Sequence, residues 1–106
     1  MSKYGNHRTV IDGIRFDSKR EAERWCELRL LERAGEIKEL QRQVSFELIP
    51  AQKNGKVKSV KYVADFTYET RYGKYVVEDA KGVKTEVYKI KKKLMLERYG
   101  IEVVEV

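Results

Sequence analysis

Asp65, Asp79 and Lys81 are the residues whose types and spacing most readily suggest chemistry. Lys74 to Lys81 (KYVVEDAK) reads as a strand, and side chains alternate faces along a strand. Val77, Asp79 and Lys81 then share one face, and Val76, Glu78 and Ala80 share the other. Residues 59–69 (SVKYVADFTYE) read as another strand, in which Asp65 is an unexpected carboxylate among Val63, Ala64 and Phe66. If these strands pair through the turn at Arg71-Tyr72-Gly73, residues whose numbers sum to about 144 face each other. Asp65 then lies opposite the 78–80 region. Two carboxylates brought together repel, and one would be pushed toward its protonated form. A divalent cation removes that conflict, and carboxylate oxygens suit Mg²⁺ or Mn²⁺. The competing arrangement is a cross-strand ion pair of Asp65 with Lys81, leaving Asp79 at a strand end in solvent.

Glu21 is a further candidate. It follows Ser18 by three positions, the capping-box spacing at a helix start, where the helix dipole also favours an acid. Cys26 is the sole cysteine, which excludes an intrachain disulfide and fits a reducing compartment. Among helix-forming neighbours it reads as a small packing residue. His7 is the sole histidine, which excludes a histidine-rich zinc site.

The chain has 106 residues, room for one domain and one core. Charged residues make up 38% and the formal net charge is +6, so polyanions are natural partners. No signal peptide is visible. The apolar runs fall far short of the roughly 20 residues that cross a bilayer, so a cytoplasmic protein with no membrane partner is expected.

These elements must position the candidates. Residues 1–8 (MSKYGNHR) read as a basic arm ahead of a domain over 9–106. Asp12-Gly13 between Thr9-Val10-Ile11 and Ile14-Arg15-Phe16 is a tight-hairpin signal. Asp17 or Ser18 caps a helix running to about Ala34, where Gly35 stops it. Ala22, Trp25, Cys26, Leu28 and Leu30 to Leu31 supply its apolar face. Residues 43–49 form a strand ended by Pro50, and Asn54-Gly55 marks a turn. After the strands at 59–69 and 74–81, Thr85 caps a second helix through about Tyr99, its stripe made by Val87, Ile90, Leu94 and Met95. Ile101 to Val106 is a final strand, parallel to its neighbour after a right-handed crossover. The fold class is α/β, a mixed sheet flanked by two helices.

The segments KYGNHRTVIDGIRFDSKREAERW, LLERAGEI, YVADFTYE and VVEDAKG, in that order, cover most of the chain. With Asp65 and the Asp79-Ala80-Lys81 tripeptide they resemble the PD-(D/E)XK nuclease superfamily, and within it small phage and prophage proteins. The resemblance implies a single restriction-endonuclease-like domain. In it, Asp65 matches the acid of the second core strand, Asp79 and Lys81 match the (D/E)-x-K motif, and Glu21 matches the acid of the first helix. The sequence departs from the pattern at Ala64, where the superfamily has its proline. Glu78 beside Asp79 leaves either as the ligand, and the shared face with Lys81 favours Asp79.

What the resemblance implies chemically is phosphodiester hydrolysis by metal-activated water. Asp65, Asp79 and the carbonyl of Ala80 would hold Mg²⁺ or Mn²⁺. Glu21 would join directly, through water, or at a second metal about 4 Å away. Lys81 would orient the water or stabilise the phosphate's charge.

The basic residues suggest where DNA would lie. Lys84, Tyr88, Lys91 and Lys92 fall roughly along one helical stripe that could track a phosphate backbone. Lys56 and Lys58 stand near the Asn54-Gly55 turn, and Lys3 and Arg8 in the arm. Branched-DNA cutting would require a homodimer, with the N-terminal hairpin and Trp25 as candidate contacts. The alternatives are a nicking or end-processing enzyme, a non-catalytic nucleic-acid-binding module that needs no clustered acids, and a ribosome-associated protein.

Overall fold

The computed structural model describes residues 9–106; the arm expected over 1–8, with Lys3 and Arg8, lies outside them. The elements are β1 (Thr9–Ile11), β2 (Ile14–Phe16), α1 (Lys19–Arg33), β3 (Ile37–Ile49), β4 (Val60–Thr70), β5 (Tyr75–Asp79), α2 (Glu86–Tyr99) and β6 (Val104–Glu105). β1 and β2 pair with each other, and the main sheet has the order β3-β4-β5-β6. Its first three strands are antiparallel and β6, reached through α2, runs parallel to β5. This is the expected mixed sheet with an N-terminal hairpin.

Local chemistry explains the ends of these elements. Asp12 and Gly13 both have positive φ, 55° and 76°, the geometry a two-residue hairpin needs to match strand twist. Ser18 Oγ accepts from the Glu21 N–H at 3.1 Å, and Thr85 Oγ1 accepts from Tyr88 N–H at 3.1 Å, so each helix start has one free amide satisfied. α2 stops at Gly100 in the left-handed region, whose N–H returns to the Leu96 carbonyl.

Two hydrophobic clusters lie against the sheet, one under each helix. The first joins Ala22, Trp25 and Leu28 of α1 with Phe16, Ile37, Phe66 and Tyr68. The second joins Tyr88 and Met95 of α2 with Leu48, Tyr62, Ala64, Val77 and Val103. In β5, Val76 packs with the α1 cluster and the next residue, Val77, with the α2 cluster, so the helices take opposite faces of that strand. β4 divides differently. Tyr62 and Ala64 go with α2, whereas Phe66 and Tyr68 go with α1, although strict alternation would put all four on one side. Between them the β3–β4 ladder skips the step at Gln43 and Asp65, and Gln43 has φ 54°. The hairpin thus serves the two helices in succession, and Asp65 stands where it changes over.

Several sequence expectations are corrected. Cys26 is exposed, because it lies about 100° around the helix from Trp25. Leu30 is exposed for the same reason. Trp25 is buried, and its indole N–H donates to Asp12 at 3.2 Å. It anchors the hairpin to α1 and is not available to a second copy of the chain. On α2, Val87 and Ile90 are 62% and 56% exposed, and the inward positions are Tyr88 and Met95, seven residues and about two turns apart. The Tyr88 ring buries more apolar area than a valine, and its hydroxyl finds Glu105 at 2.8 Å. β3 begins at Ile37, not residue 43: its polar first half is held by pairing with β4 (Ile37 with Thr70, Lys38 with Glu69) and not by intrinsic preference. β5 ends at Asp79 and β6 is confined to Val104–Glu105, since Glu78 and Asp79 are their only ladder partners.

Candidate active site

β5 stops where it does because Asp65 takes its next amide. The pairs Phe66–Glu78 and Thr67–Val77 continue by one step to Asp65 beside Asp79, the register expected from the sequence. Asp65 Oδ2 accepts the backbone N–H of Ala80 at 2.8 Å, tying the acid of β4 to the middle of the Asp79-Ala80-Lys81 tripeptide.

Asp79 is 0% exposed. The Tyr62 hydroxyl donates to its Oδ2, while Oδ1 is buried with no hydrogen-bond partner among the described residues. Lys81 Nζ stands 3.6 Å from that Oδ1. Lys81 therefore pairs with Asp79, and the arrangement that put Asp79 in solvent and Lys81 on Asp65 is not the one adopted. Burial and the adjoining Asp65 carboxylate push the Asp79 carboxyl up to about 7, against the pull of Tyr62 and Lys81.

Glu78 points to the other side of the sheet. It is 1% exposed and receives Arg24 from α1 through two bonds, Nε to Oε1 at 2.8 Å and Nη2 to Oε2 at 2.7 Å. The Tyr68 hydroxyl donates to Oε2 as well. Its oxygens are occupied, so of the two neighbouring acids Asp79 is the one with an oxygen to offer.

Glu21 reaches the edge of the site and not its centre. Its backbone N–H serves the cap, but its carboxylate turns to Arg42 Nη2 at 3.4 Å and Gln43 Nε2 at 3.3 Å. Gln43 Nε2 also lies 3.4 Å from Asp65 Oδ1, so one amide links the two acids. Burial, followed by the Asp65 charge, raises the Glu21 carboxyl. Among the described residues no group of three or more His, Cys, Asp and Glu side chains is close enough to hold a metal. The donor set at hand is Asp65 and Asp79. An unpartnered, buried carboxylate oxygen beside a second carboxylate fits a hard divalent cation, and the oxygens suit Mg²⁺ or Mn²⁺.

The basic residues divide between two surfaces. Lys84 and Lys92 each lie 3.5 Å from Glu105, which spends part of their charge within the protein. Lys91 lies beyond them, on a recess shared with Lys61 and Lys81. Tyr88 is buried between these groups, with Lys81 Nζ 5.4 Å from its ring centre. Lys56 and Lys58 are exposed on the loop between β3 and β4.

Sequence reasoning did not single out Tyr62, Tyr68, Arg24, Arg42 or Gln43. A spacing signal was present for three of them. Tyr62 and Tyr68 stand three residues either side of Asp65, and Arg24 stands one helical turn after Glu21.

No curated protein and no solved structure matches the chain. A family model described as "Protein of unknown function (DUF1064)" matches residues 1–104, which take in Glu21, Asp65, Asp79 and Lys81 alike, and the chain belongs to that family.

Proposed function

We propose that this chain is a metal-dependent DNA endonuclease of PD-(D/E)XK type that hydrolyses phosphodiester bonds in branched or junction DNA, or nicks duplex. The observation that carries the proposal is the Asp79 carboxylate: fully buried, one oxygen without a hydrogen-bond donor among the described residues, with Asp65 beside it and Lys81 Nζ at 3.6 Å. A buried acid left in that state has no structural use that a neutral side chain would not serve better.

Asp65 and Asp79 would hold Mg²⁺ or Mn²⁺, together with the carbonyl of Ala80. Such an ion supplies a water of lowered pKa and neutralises charge on the phosphate. The chain's own residues do the rest. Tyr62 keeps one oxygen of Asp79 fixed, and the Ala80 N–H does the same for Asp65. Lys81, 3.6 Å from Oδ1 of Asp79, would place an ammonium where a phosphate oxygen gains negative charge. Gln43 ties Glu21 to Asp65 at the edge of the site, from where Glu21 would join through water or at a second metal.

The +6 net charge supports a polyanionic substrate, and a cytoplasmic setting (the host's, for a phage-encoded protein) follows from that substrate. Among the described residues no helix is long and apolar enough to cross a membrane. Paired cuts in a junction would need a second copy, docked through a surface other than Trp25.

The test is cleavage of supercoiled plasmid and of four-way, forked and paired DNA, with Mg²⁺ or Mn²⁺, by the wild type and Asp79→Ala. The expected result is cutting by the wild type and a loss of at least about 100-fold in the variant, with DNA binding retained. If both proteins bind DNA and neither cuts, the chain is a binding module without catalysis.

A further inference from the structure

Beside Asp79 lies a recess of about 290 Å³ between the outer part of β4 and the start of α2. Three ammonium groups, Lys61, Lys81 and Lys91, stand around it, and among the described residues no acid lines it. Its apolar lining comes from Val63, 47% exposed, Val87, 62% exposed, and the Tyr88 ring. The other recess along α2, near Lys84 and Lys92, is different: Glu86, Glu102 and Glu105 line it, and Lys84, Lys89 and Lys92 pair with Glu105 or Glu86. Lys61 and Lys91, which have no ion-pair partner among the described residues, thus join Lys81 at the opening next to the carboxylates.

We propose that this recess is a subsite for one unpaired nucleotide flanking the cut phosphate, its base against Val63 and Val87 and its phosphate at Lys61, Lys81 and Lys91; this rests on the nuclease reading above. The reasoning is one of matched chemistry. Two water-exposed valines lining one recess with three ammonium groups call for a ligand with a flat apolar part and an anionic part. A nucleotide has both. In continuous duplex the base faces are covered by their neighbours and cannot meet the valines, so the recess selects a nucleotide that has left the stack. Its size admits one nucleotide and not a helix. Lys81 belongs to both sites, 3.6 Å from Asp79 Oδ1 and on the wall of the recess, so a nucleotide held there sets its neighbouring phosphodiester against the carboxylates. The substrate class that follows is DNA with an unpaired nucleotide at a branch, flap or frayed end.

The experiment uses the intact chain and a forked duplex in which one abasic residue is walked through the unpaired arm near the branch. Cutting and, in a parallel series without divalent metal, binding by fluorescence anisotropy are measured for the wild type and for Val63→Ser/Val87→Ser. Both valines are exposed, and thermal melting checks that the double variant is folded. The expected result is one position at which loss of the base weakens the wild type about tenfold, while the double variant no longer distinguishes that position. The subsite is overturned if no position matters, or if the double variant responds to the missing base as the wild type does. Should the wild type cut no DNA with either metal, the nuclease reading fails, and the binding series alone decides the subsite by the same two outcomes.

Discussion

The Tyr62 hydroxyl donates to Oδ2 of Asp79; the other oxygen, Oδ1, has no hydrogen-bond donor among the described residues and faces Lys81 Nζ at 3.6 Å. Tyr62 lies seventeen residues before Asp79 and reaches it only because β4 turns its outer half toward α2 at the Gln43–Asp65 break. This pairing keeps a strongly buried acid oriented and part of the way toward its ionised form.

Tyr62→Phe removes that donor and little else. A hydrogen bond to an ionised group contributes about 1.5–3 kcal/mol. Loss of Tyr62 should therefore weaken Mg²⁺ or Mn²⁺ binding about tenfold or more, read as a shift in the metal concentration that raises the melting temperature. Unchanged metal dependence would remove Tyr62 from the site.

Asp79 also predicts how the metal-free protein responds to pH. Its carboxyl is raised from 3.8 to about 7, burial being the first cause and Asp65 the second. A raised acid holds its proton in the fold while the unfolded chain has already lost it. Stability should fall as pH rises from about 4 to about 7 and level off above. Asp79→Asn cancels this loss, so in chelator the variant should match the wild type near pH 4 and exceed it by about 2–4 kcal/mol at pH 8, since each tenfold change in proton affinity is worth about 1.4 kcal/mol. Adding Mg²⁺ should stabilise the wild type and not the variant. Denaturant melts at the two pH values check both statements.

The Arg24–Glu78 pair makes a separate prediction about the fold. Arg24→Leu strands a carboxylate that is 1% exposed and should destabilise by about 3–5 kcal/mol. Arg24→Leu/Glu78→Leu removes both charges and should recover much of that, leaving the Tyr68 hydroxyl and the exposed Glu27 without their partners. Equal destabilisation in the single and double variants would mean that the pair contributes through packing alone. Because Glu78 adjoins Asp79, cutting by the folded double variant also tells whether α1 helps to hold the site in place.

Lys81 is expected to act on the transition state more than on binding. Lys81→Gln keeps much of the length of the side chain and loses its charge. DNA cutting should drop about 100-fold or more, while affinity for paired DNA in the absence of metal changes by a fewfold at most. A loss of affinity equal to the loss of rate would instead make Lys81 an ordinary phosphate contact.

The residues themselves determined much of this protein. The Asp12-Gly13 turn, the caps at Ser18 and Thr85, the stop at Gly100 and the order of strands and helices rest on interactions between near neighbours in the chain, and these leave a local signature. The turn at residues 71–73 even carried the register that puts Asp65 beside Asp79, because hairpin pairing is arithmetic once its turn is known. The tertiary structure decided which face each group serves. That Glu78 is spent on Arg24 and Asp79 left open, that Val87 faces water and Tyr88 the core, and that Cys26 is exposed all depend on which helix covers which side of the sheet. Alternation along a strand divides side chains into two sets but does not say what lies over either set. The left-handed backbone at Gln43, φ 54°, marks the step where the β3–β4 hairpin passes from one helix to the other, and has no counterpart in local sequence preference.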